Sequence, residues 1–410
     1  MVDLAVAGGG AAGFFAAVQA KAAAPGARVV ILEKSREFLA KVAISGGGRC
    51  NVTHACFDPA RLIQYYPRGG RELRGPFTRF QPRDTMDWFE SRGVPLKTEA
   101  DGRVFPVSDN SADIIGALRR EAERLDVRLN PLQGLHSASP EAEGFALELT
   151  DGTHMKCRAL LLATGGNRGS GGLEAAAGLG HRILEPVPSL FSFHVRSPML
   201  EGLAGISVEQ VRVRIPELKA EDQGPLLITH SGLSGPAVLK LSAWQARALA
   251  EKQDAVQLEI QWLGEMTEPV LRALLDEQRL QQGARMVVRT PLGALPRRLW
   301  ERLCHLADIT DITTWARLPG ARREALITLL LRAPCAMRGK TLNKEEFVTC
   351  GGVCLKEVDM KRFESRLQPG LFFAGEVLDI DGVTGGFNFQ AAWTGGFLAG
   401  TAAGEFLSGG

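Results

Sequence analysis

The sequence has almost no charge to spare. Its 48 basic and 46 acidic side chains leave a formal net charge of +2, too little for a global field that would hold the protein on nucleic acid or an anionic membrane. Metal-ligand and disulfide spacings are missing as well. The seven cysteines, an odd number at 50, 56, 157, 304, 335, 350 and 354, form no CxxC pair and no His/Cys ligand pattern, which argues against a disulfide framework and against a metal site. No uninterrupted apolar stretch is long enough to span a bilayer. The apolar N-terminus, MVDLAVAGGGAAGFFAAVQAKAAA, carries Asp3 where a signal peptide has its basic region, and glycines break its apolar run; a cytoplasmic protein with no membrane or DNA partner is expected. Internal repeats and low-complexity linkers are also absent.

What is present is the balance of a globular protein: 410 residues, 45% apolar and 23% charged, enough for two or three structural units. Val2 to Ala7 is a short apolar run that ends in Gly8-Gly9-Gly10-Ala11-Ala12-Gly13. Alanines and phenylalanines continue at helical density to Ala24, Pro25-Gly26 stops the helix, and RVVIL (Arg28 to Leu32) reads as a second buried strand ending at Glu33. Gly8, Gly10 and Gly13 fit GxGxxG: one glycine for the tight turn, one for close approach of backbone to a pyrophosphate, one for packing helix on strand. The helix N-terminus would offer its unpaired N–H groups to the phosphates, and Glu33 is placed to accept hydrogen bonds from a ribose. Strand before, helix after and acid at the right distance together predict dinucleotide binding.

The fingerprint alone does not separate FAD from NAD, because both carry the same ADP half. Three later stretches bear on the choice. SGGGRCN, Ser45 to Asn51, brings backbone N–H groups and Arg49 to the same end of the sheet; ALLLATGG, Ala159 to Gly166, is an apolar strand ending in Thr164-Gly165-Gly166. The third is GLFFAGEVLDIDGVTGGFNFQAAWTGGFLAG, Gly370 to Gly400, in which a strand ends in Gly375-Glu376 and Gly385-Gly386 open a small-residue helix. A carboxylate there suits a ribityl hydroxyl, and the helix would aim its positive end at the electron-rich side of an isoalloxazine.

Together with LLITHSGLSGPAVLKLS (Leu226 to Ser242) and TCGGVCLKEV (Thr349 to Val358), these stretches resemble, from end to end, a bacterial family of FAD-dependent oxidoreductases. Its members carry names such as aminoacetone oxidase, 3-dehydro-bile-acid reductase and ribosomal RNA dihydrouridine synthase. The resemblance implies an α/β fold: a glutathione-reductase-like, Rossmann-type FAD domain made of residues 1–190 and 345–410, with an inserted substrate domain at 191–344. The insertion divides into a β-rich part, 191–264, where SVEQVRVRI and AVQLEIQWL alternate, and a helical part, 265–344. FAD is then expected against Gly8, Gly10, Ala11, Ala12, Gly13, Glu33, Lys34 and Lys41, the loop Ser45, Gly46, Gly47, Gly48, Arg49, Cys50 and Asn51, and further along Leu135, Thr164 and Gly165. The C-terminal contributors are Gly375, Glu376, Gly385, Gly386, Phe387, Asn388 and Gln390.

Three positions depart from the family pattern. His54 stands where Asn is usual, Ser231 where Arg commonly follows the histidine, and the segment Asn167 to Gly180 is shorter and lacks the usual Ser and Pro. All three bear on the substrate more than on the fold.

For catalysis the candidates are His230, Cys350 and Cys50, with Asn388 beside them. Each has a plainer role: His230 bonding a turn, Cys350 packing beside Gly351-Gly352, Cys50 a small residue in the flavin loop, Asn388 binding flavin or capping its helix. An acid or redox role for Cys50 would need Arg49 to lower its pKa. Residues 61 to 83, RLIQYYPRGGRELRGPFTRFQPR, interleave arginines with Tyr65, Tyr66, Phe77 and Phe80, a mixture that can hold phosphates and stack bases; a solvated loop with its aromatics packed beneath is the favoured alternative.

No second GxGxxG follows a strand, so NAD(P)H, if used, would dock only transiently as electron donor. The resemblance then leaves three functions: reduction of an activated C=C bond in a small enone-like molecule or in a uridine of structured RNA, oxygen-dependent oxidation of an amine or amino-ketone with release of peroxide, and a flavin-bound sensor without turnover.

Overall fold

The structure is a computed structural model that describes residues 2–166, 169, 171–341 and 348–409. The chain divides into two compact units, Met1–Ser189 with Lys344–Gly410, and Leu190–Asn343. The expected boundary at 344 and 345 and the start of the short segment after ATGG, Asn167 and Arg168, lie outside the described residues.

The first unit is built on a nine-stranded mixed sheet whose central strands are parallel. Its centre is β1 (Val2–Ala7), flanked by β2 (Val29–Leu32) and β3 (His154–Leu162), with β4 (Leu371–Phe373) beyond β3 and Arg128–Asn130 beyond β2. All four residues of β2 are buried, the continuous apolar character of a strand covered on both faces. Register sets which residues share an edge. Ala7 lies opposite both Leu32 and Leu162, and Leu162 opposite Phe373, so Gly8, Glu33, Ala163 and Ala374 all emerge along one carboxyl edge, where open α/β sheets bind their ligands.

Two helices carry the edge. α1 (Ala11–Ala23) follows β1, and α2 (Phe387–Ser408) closes the chain. Gly396, Gly400 and Gly404 of α2 face Ala12, Ala16 and Ala20 of α1, and a Cβ on Gly400 would stand 2.2 Å from the Ala16 carbonyl oxygen. The spacing of four residues keeps these glycines on one helix face, so the backbones approach closely and the two helix starts are held in fixed relation.

The second unit contains a closed six-stranded barrel in the order Ser192–Val195, Gly232–Ser234, Ala220–Ile228, Ser207–Ile215, Ala255–Gln261, Ala333–Thr341. Helices Glu268–Gln281, Arg297–Leu306 and Gly320–Leu331 lie between its last two strands in sequence. Barrel residues Phe193, Val213, Leu258 and Ile260 share one core with Leu303, Trp315 and Leu326 of this helical stretch. The purely helical reading of 265–344 is therefore corrected at its end: Ala333–Thr341 is a strand that pairs with Ala255–Gln261 and with Ser192–Val195. Its inward positions, Ala333, Cys335 and Met337, are buried alternately but lack the β-branched residues that mark a strand. Among the described residues no helix is long and apolar enough to cross a membrane.

Candidate flavin site

At the end of β1 the glycines answer to different demands. Gly8 has a left-handed φ of 111°, and a Cβ there would stand 2.3 Å from the Ala163 carbonyl oxygen; at Gly13 it would stand 1.9 Å from the carbonyl oxygen of Gly8. Those two are required by the protein's own backbone. At Gly10 a side chain would meet nothing within 4 Å, although Gly10 is the residue from which α1 starts. The space beside it is left open. Glu33 accepts the Gly9 N–H at 2.8 Å through Oε2 and Ser35 N and Oγ at 2.9 Å through Oε1, which leaves a lone pair on Oε2 for a further donor.

The loop after the short helix Ala40–Ile44 shows the same division. Gly46, Gly47 and Gly48 take left-handed φ values of 59°, 70° and 87°, and Cβ atoms on Gly47 and Gly48 would meet nothing within 4 Å. Three left-handed residues in succession are accessible only to glycine at small cost. Lys41 reaches across to Glu376 at 2.8 Å, bringing together two residues 335 positions apart. Gly165 completes this corner, its Cβ position 3.8 Å from the Glu376 carboxylate.

The loop and the start of α2 are joined by Asn51. With its amide nitrogen towards the carbonyls of Thr53 and Val104, its oxygen accepts the Gly386 N–H at 3.0 Å. Trp393 Nε1 donates to the Val52 carbonyl at 2.9 Å, and the His54 ring stacks on Phe387 at 4.7 Å. His54 Nε2 faces the Asp101 carbonyl at 3.1 Å; a carbonyl only accepts, so Nε2 carries the proton. Burial holds this imidazole below its ordinary pKa, and it is neutral at pH 7.

A family profile described as HI0933-like protein Rossmann domain matches residues 2–402. The chain belongs to the HI0933-like family. It is 30% identical over 404 residues to a ribosomal RNA dihydrouridine synthase of Escherichia coli (strain K12), covering 96% of this chain and 95% of that protein. To a 3-dehydro-bile acid delta(4,6)-reductase of Clostridium scindens it is 28% identical over 413 residues, 99% of this chain and 100% of that one. Among solved structures, the 3-ketosteroid-delta4-(5alpha)-dehydrogenase from Rhodococcus jostii RHA1 in complex with 4-androstene-3,17-dione superposes with a TM-score of 0.51 at 17% identity, over 99% of this chain and 96% of that one; this likeness concerns the fold. By family and fold the HI0933-like chain is an oxidoreductase built on a Rossmann-type domain.

Several residues expected to serve the flavin or the chemistry have partners of their own within this HI0933-like fold. Cys50 is fully buried, and burial pushes its thiol up to about 12. Arg49 cannot lower it: its guanidinium pairs with Glu99 at 2.8 Å and Asp109 at 3.4 Å and lies 3.9 Å over the Phe105 ring. A thiol that stays protonated and covered packs in this loop and offers no thiolate for redox chemistry. Cys350 is likewise fully buried, on the strand Val348–Val353 paired with Ile183–Ser189. Gln390 points into the protein, accepting from Thr53 Oγ1 at 2.6 Å and Thr85 Oγ1 at 2.9 Å and donating to Thr394, so its side chain is spent on a buried network. Asn388 holds Gly382 through both its N–H and its carbonyl. Leu135 is buried in the core. His230 belongs to the second unit, exposed at the turn before Gly232–Ser234.

The arginine and aromatic stretch also resolves. Tyr66, Phe77 and Phe80 are buried, and Tyr66 Oη donates to the Phe387 carbonyl at 2.7 Å. Arg68 is paired with the buried carboxylate of Asp381. Arg71 and Arg74 are exposed. Sequence reasoning passed over Asp381, Tyr66 as a donor, and the Gly396-Gly400-Gly404 stripe; only the last had a visible signal, in its repeat of four.

Proposed function

We propose that this enzyme reduces a C=C bond conjugated to a carbonyl, with NAD(P)H as the transient electron donor. The observation that carries the reading is that two curated relatives, matched over 95% and 100% of their lengths, bear names with one chemistry in common. A dihydrouridine is a uridine whose ring double bond next to a carbonyl has been saturated, and a delta(4,6)-reductase of a 3-dehydro acid saturates double bonds conjugated to the 3-ketone. Each turnover would consume one NAD(P)H and one proton per double bond.

The residues present fit FAD. Open backbone at Gly10 and at Gly47-Gly48 leaves room for a ligand to approach, N–H groups at the start of α1 suit a pyrophosphate, and Glu33, Lys41, Glu376 and Asn51 supply polar groups around the same edge. When bound, FAD supplies hydride transfer. The chain's part is to hold reactants in line and to exclude water. His54, Tyr65 and Phe387 give the loop junction a neutral, aromatic lining suited to a planar unsaturated ring.

Between a small enone and a uridine in RNA, the fate of residues 61–83 favours the small molecule, since most of the side chains that could have stacked on bases are committed inside the protein. The test is an anaerobic titration with NADPH and then NADH, following flavin absorbance, with a 4-en-3-one steroid and a uridine-containing RNA as acceptors. Bleaching by the nicotinamide and recovery of colour on adding an acceptor are expected. Bound flavin that no nicotinamide bleaches would sink the reading and turn the search to amines with oxygen as acceptor.

A further inference from the structure

Three stretches far apart in sequence meet at one fully buried carboxylate, Asp381. Its Oδ1 accepts from Arg68 Nε at 2.5 Å, and its Oδ2 accepts from Arg68 Nη2 and from Ser189 Oγ, the latter at 2.8 Å. Arg68 Nη2 also donates to Ser189 Oγ at 3.2 Å. Around this pair the backbone is laced together. Arg68 and Asp381 form an antiparallel bridge, Val383 N–H donates to the Tyr65 carbonyl at 2.9 Å, and the Tyr65 ring stacks on Phe387 at 4.3 Å. The loop Asp379–Gly386 is thus clamped from outside by residues 65–68 and from inside by Asn388 on Gly382, and it ends where α2 begins.

A buried ion pair adds little net stability over well-packed apolar residues, because desolvation offsets the attraction. A bidentate arginine–carboxylate pair does fix geometry. The lasting effect of this pair is therefore on where the loop stands.

We propose that Asp381 is a positioning residue for the flavin: held by Arg68 and Ser189, it fixes the loop from which α2 starts, and so sets how tightly FAD is bound and how readily it is reduced. The proposal rests on the FAD reading above. The positive end of α2 acts more strongly on whichever flavin state carries more negative charge, so displacing it weakens the reduced form more than the oxidised.

Asp381→Asn keeps the shape and removes the carboxylate's charge. The double variant Arg68→Met with Asp381→Leu removes both charges, and Ser189→Ala removes one bond and no charge. Apo protein of each is titrated with FAD, melted by circular dichroism, and, once loaded, poised electrochemically to read the midpoint potential. The double variant is expected to melt at the wild-type temperature yet bind FAD about tenfold more weakly; a tenfold greater loss for the reduced form lowers the potential by about 30 mV. Should the charge variants fail to fold, Ser189→Ala still decides: weaker binding with a shifted potential supports the assignment. Wild-type affinity and potential in any folded variant of the pair, or in Ser189→Ala where the pair does not fold, would overturn it. Wild-type protein that binds no FAD would instead refute the cofactor reading itself.

Discussion

Residues 45–51 and residues 61–83 both look, as strings, ready to hold a ligand, and the structure treats them in opposite ways. The first is a loop of left-handed glycines, two of which would have free space around an added side chain. The second is richer in the groups that bind phosphates and bases, yet Tyr66, Phe77 and Phe80 are buried and Arg68 is paired inside the protein. Composition is a poor guide to a binding surface; unfilled space beside backbone N–H groups is a better one.

The largest effect that can test this contrast lies between two glycines three residues apart. Gly13→Val would drive its Cβ into the Gly8 carbonyl oxygen, a clash with backbone that cannot rotate away, and should destabilise the apo protein by about 3 kcal/mol in urea unfolding. Gly10→Ala meets no protein atom and should change apo stability by less than about 1 kcal/mol, while FAD binding weakens by about tenfold or more. Equal losses of stability in the two variants would erase the distinction between packed and ligand-facing glycines.

Next in size is Tyr66→Phe. It removes the donor to the buried Phe387 carbonyl without opening a cavity, and should cost about 1 to 2 kcal/mol in the same unfolding measurement. A solvated surface tyrosine would show almost none of this. The result sharpens the comparison by asking whether residues 61–83 are structural in energy as well as in position.

Much of the first unit was legible because its signals are local. GxGxxG, the buried strand RVVIL and the strand ending in Gly-Glu each report on neighbours a few residues away, and the register of the parallel sheet then places Gly8, Glu33 and Gly375 on one edge. What stayed hidden is long-range. Nothing near Asp381 announces Arg68, 313 positions away, and nothing near Gln390 announces Thr53 and Thr85. The last barrel strand was missed for a different reason: Ala333, Cys335 and Met337 alternate inward correctly, but alanine, cysteine and methionine carry no β preference strong enough to stand out among helices.

His54, where the glycine loop meets the aromatic lining, should give a smaller, pH-dependent effect. Its folded pKa is depressed by burial, so below the ordinary histidine value, about 6.5, the unfolded chain takes up a proton that the folded one refuses. Stability from this site is therefore complete above that pH and is lost as pH falls below it. Replacing His54→Phe keeps the ring against Phe387 and removes the proton. Unfolding midpoints measured from pH 7.5 to 5.5 should decline less steeply in the variant than in wild type; parallel curves would mean that His54 titrates normally.

The smallest expected effect is also the one that separates the two substrate classes. Arg71 and Arg74 are two of the exposed arginines of the basic stretch, with Arg61, Arg79 and Arg83, and neither belongs to the set of residues that builds the flavin edge. Arg71→Ala with Arg74→Ala should leave stability within about 0.5 kcal/mol and leave FAD content and reduction by nicotinamide unchanged. For a small-molecule enzyme nothing else changes. If RNA is the substrate and this surface binds it, the double variant binds RNA more weakly and the dependence of binding on salt becomes shallower, because two phosphate contacts fewer release fewer counter-ions. Unaltered RNA binding with an unaltered salt slope would remove Arg71 and Arg74 from nucleic-acid recognition and leave their segment its role as the outer wall of the loop that begins α2.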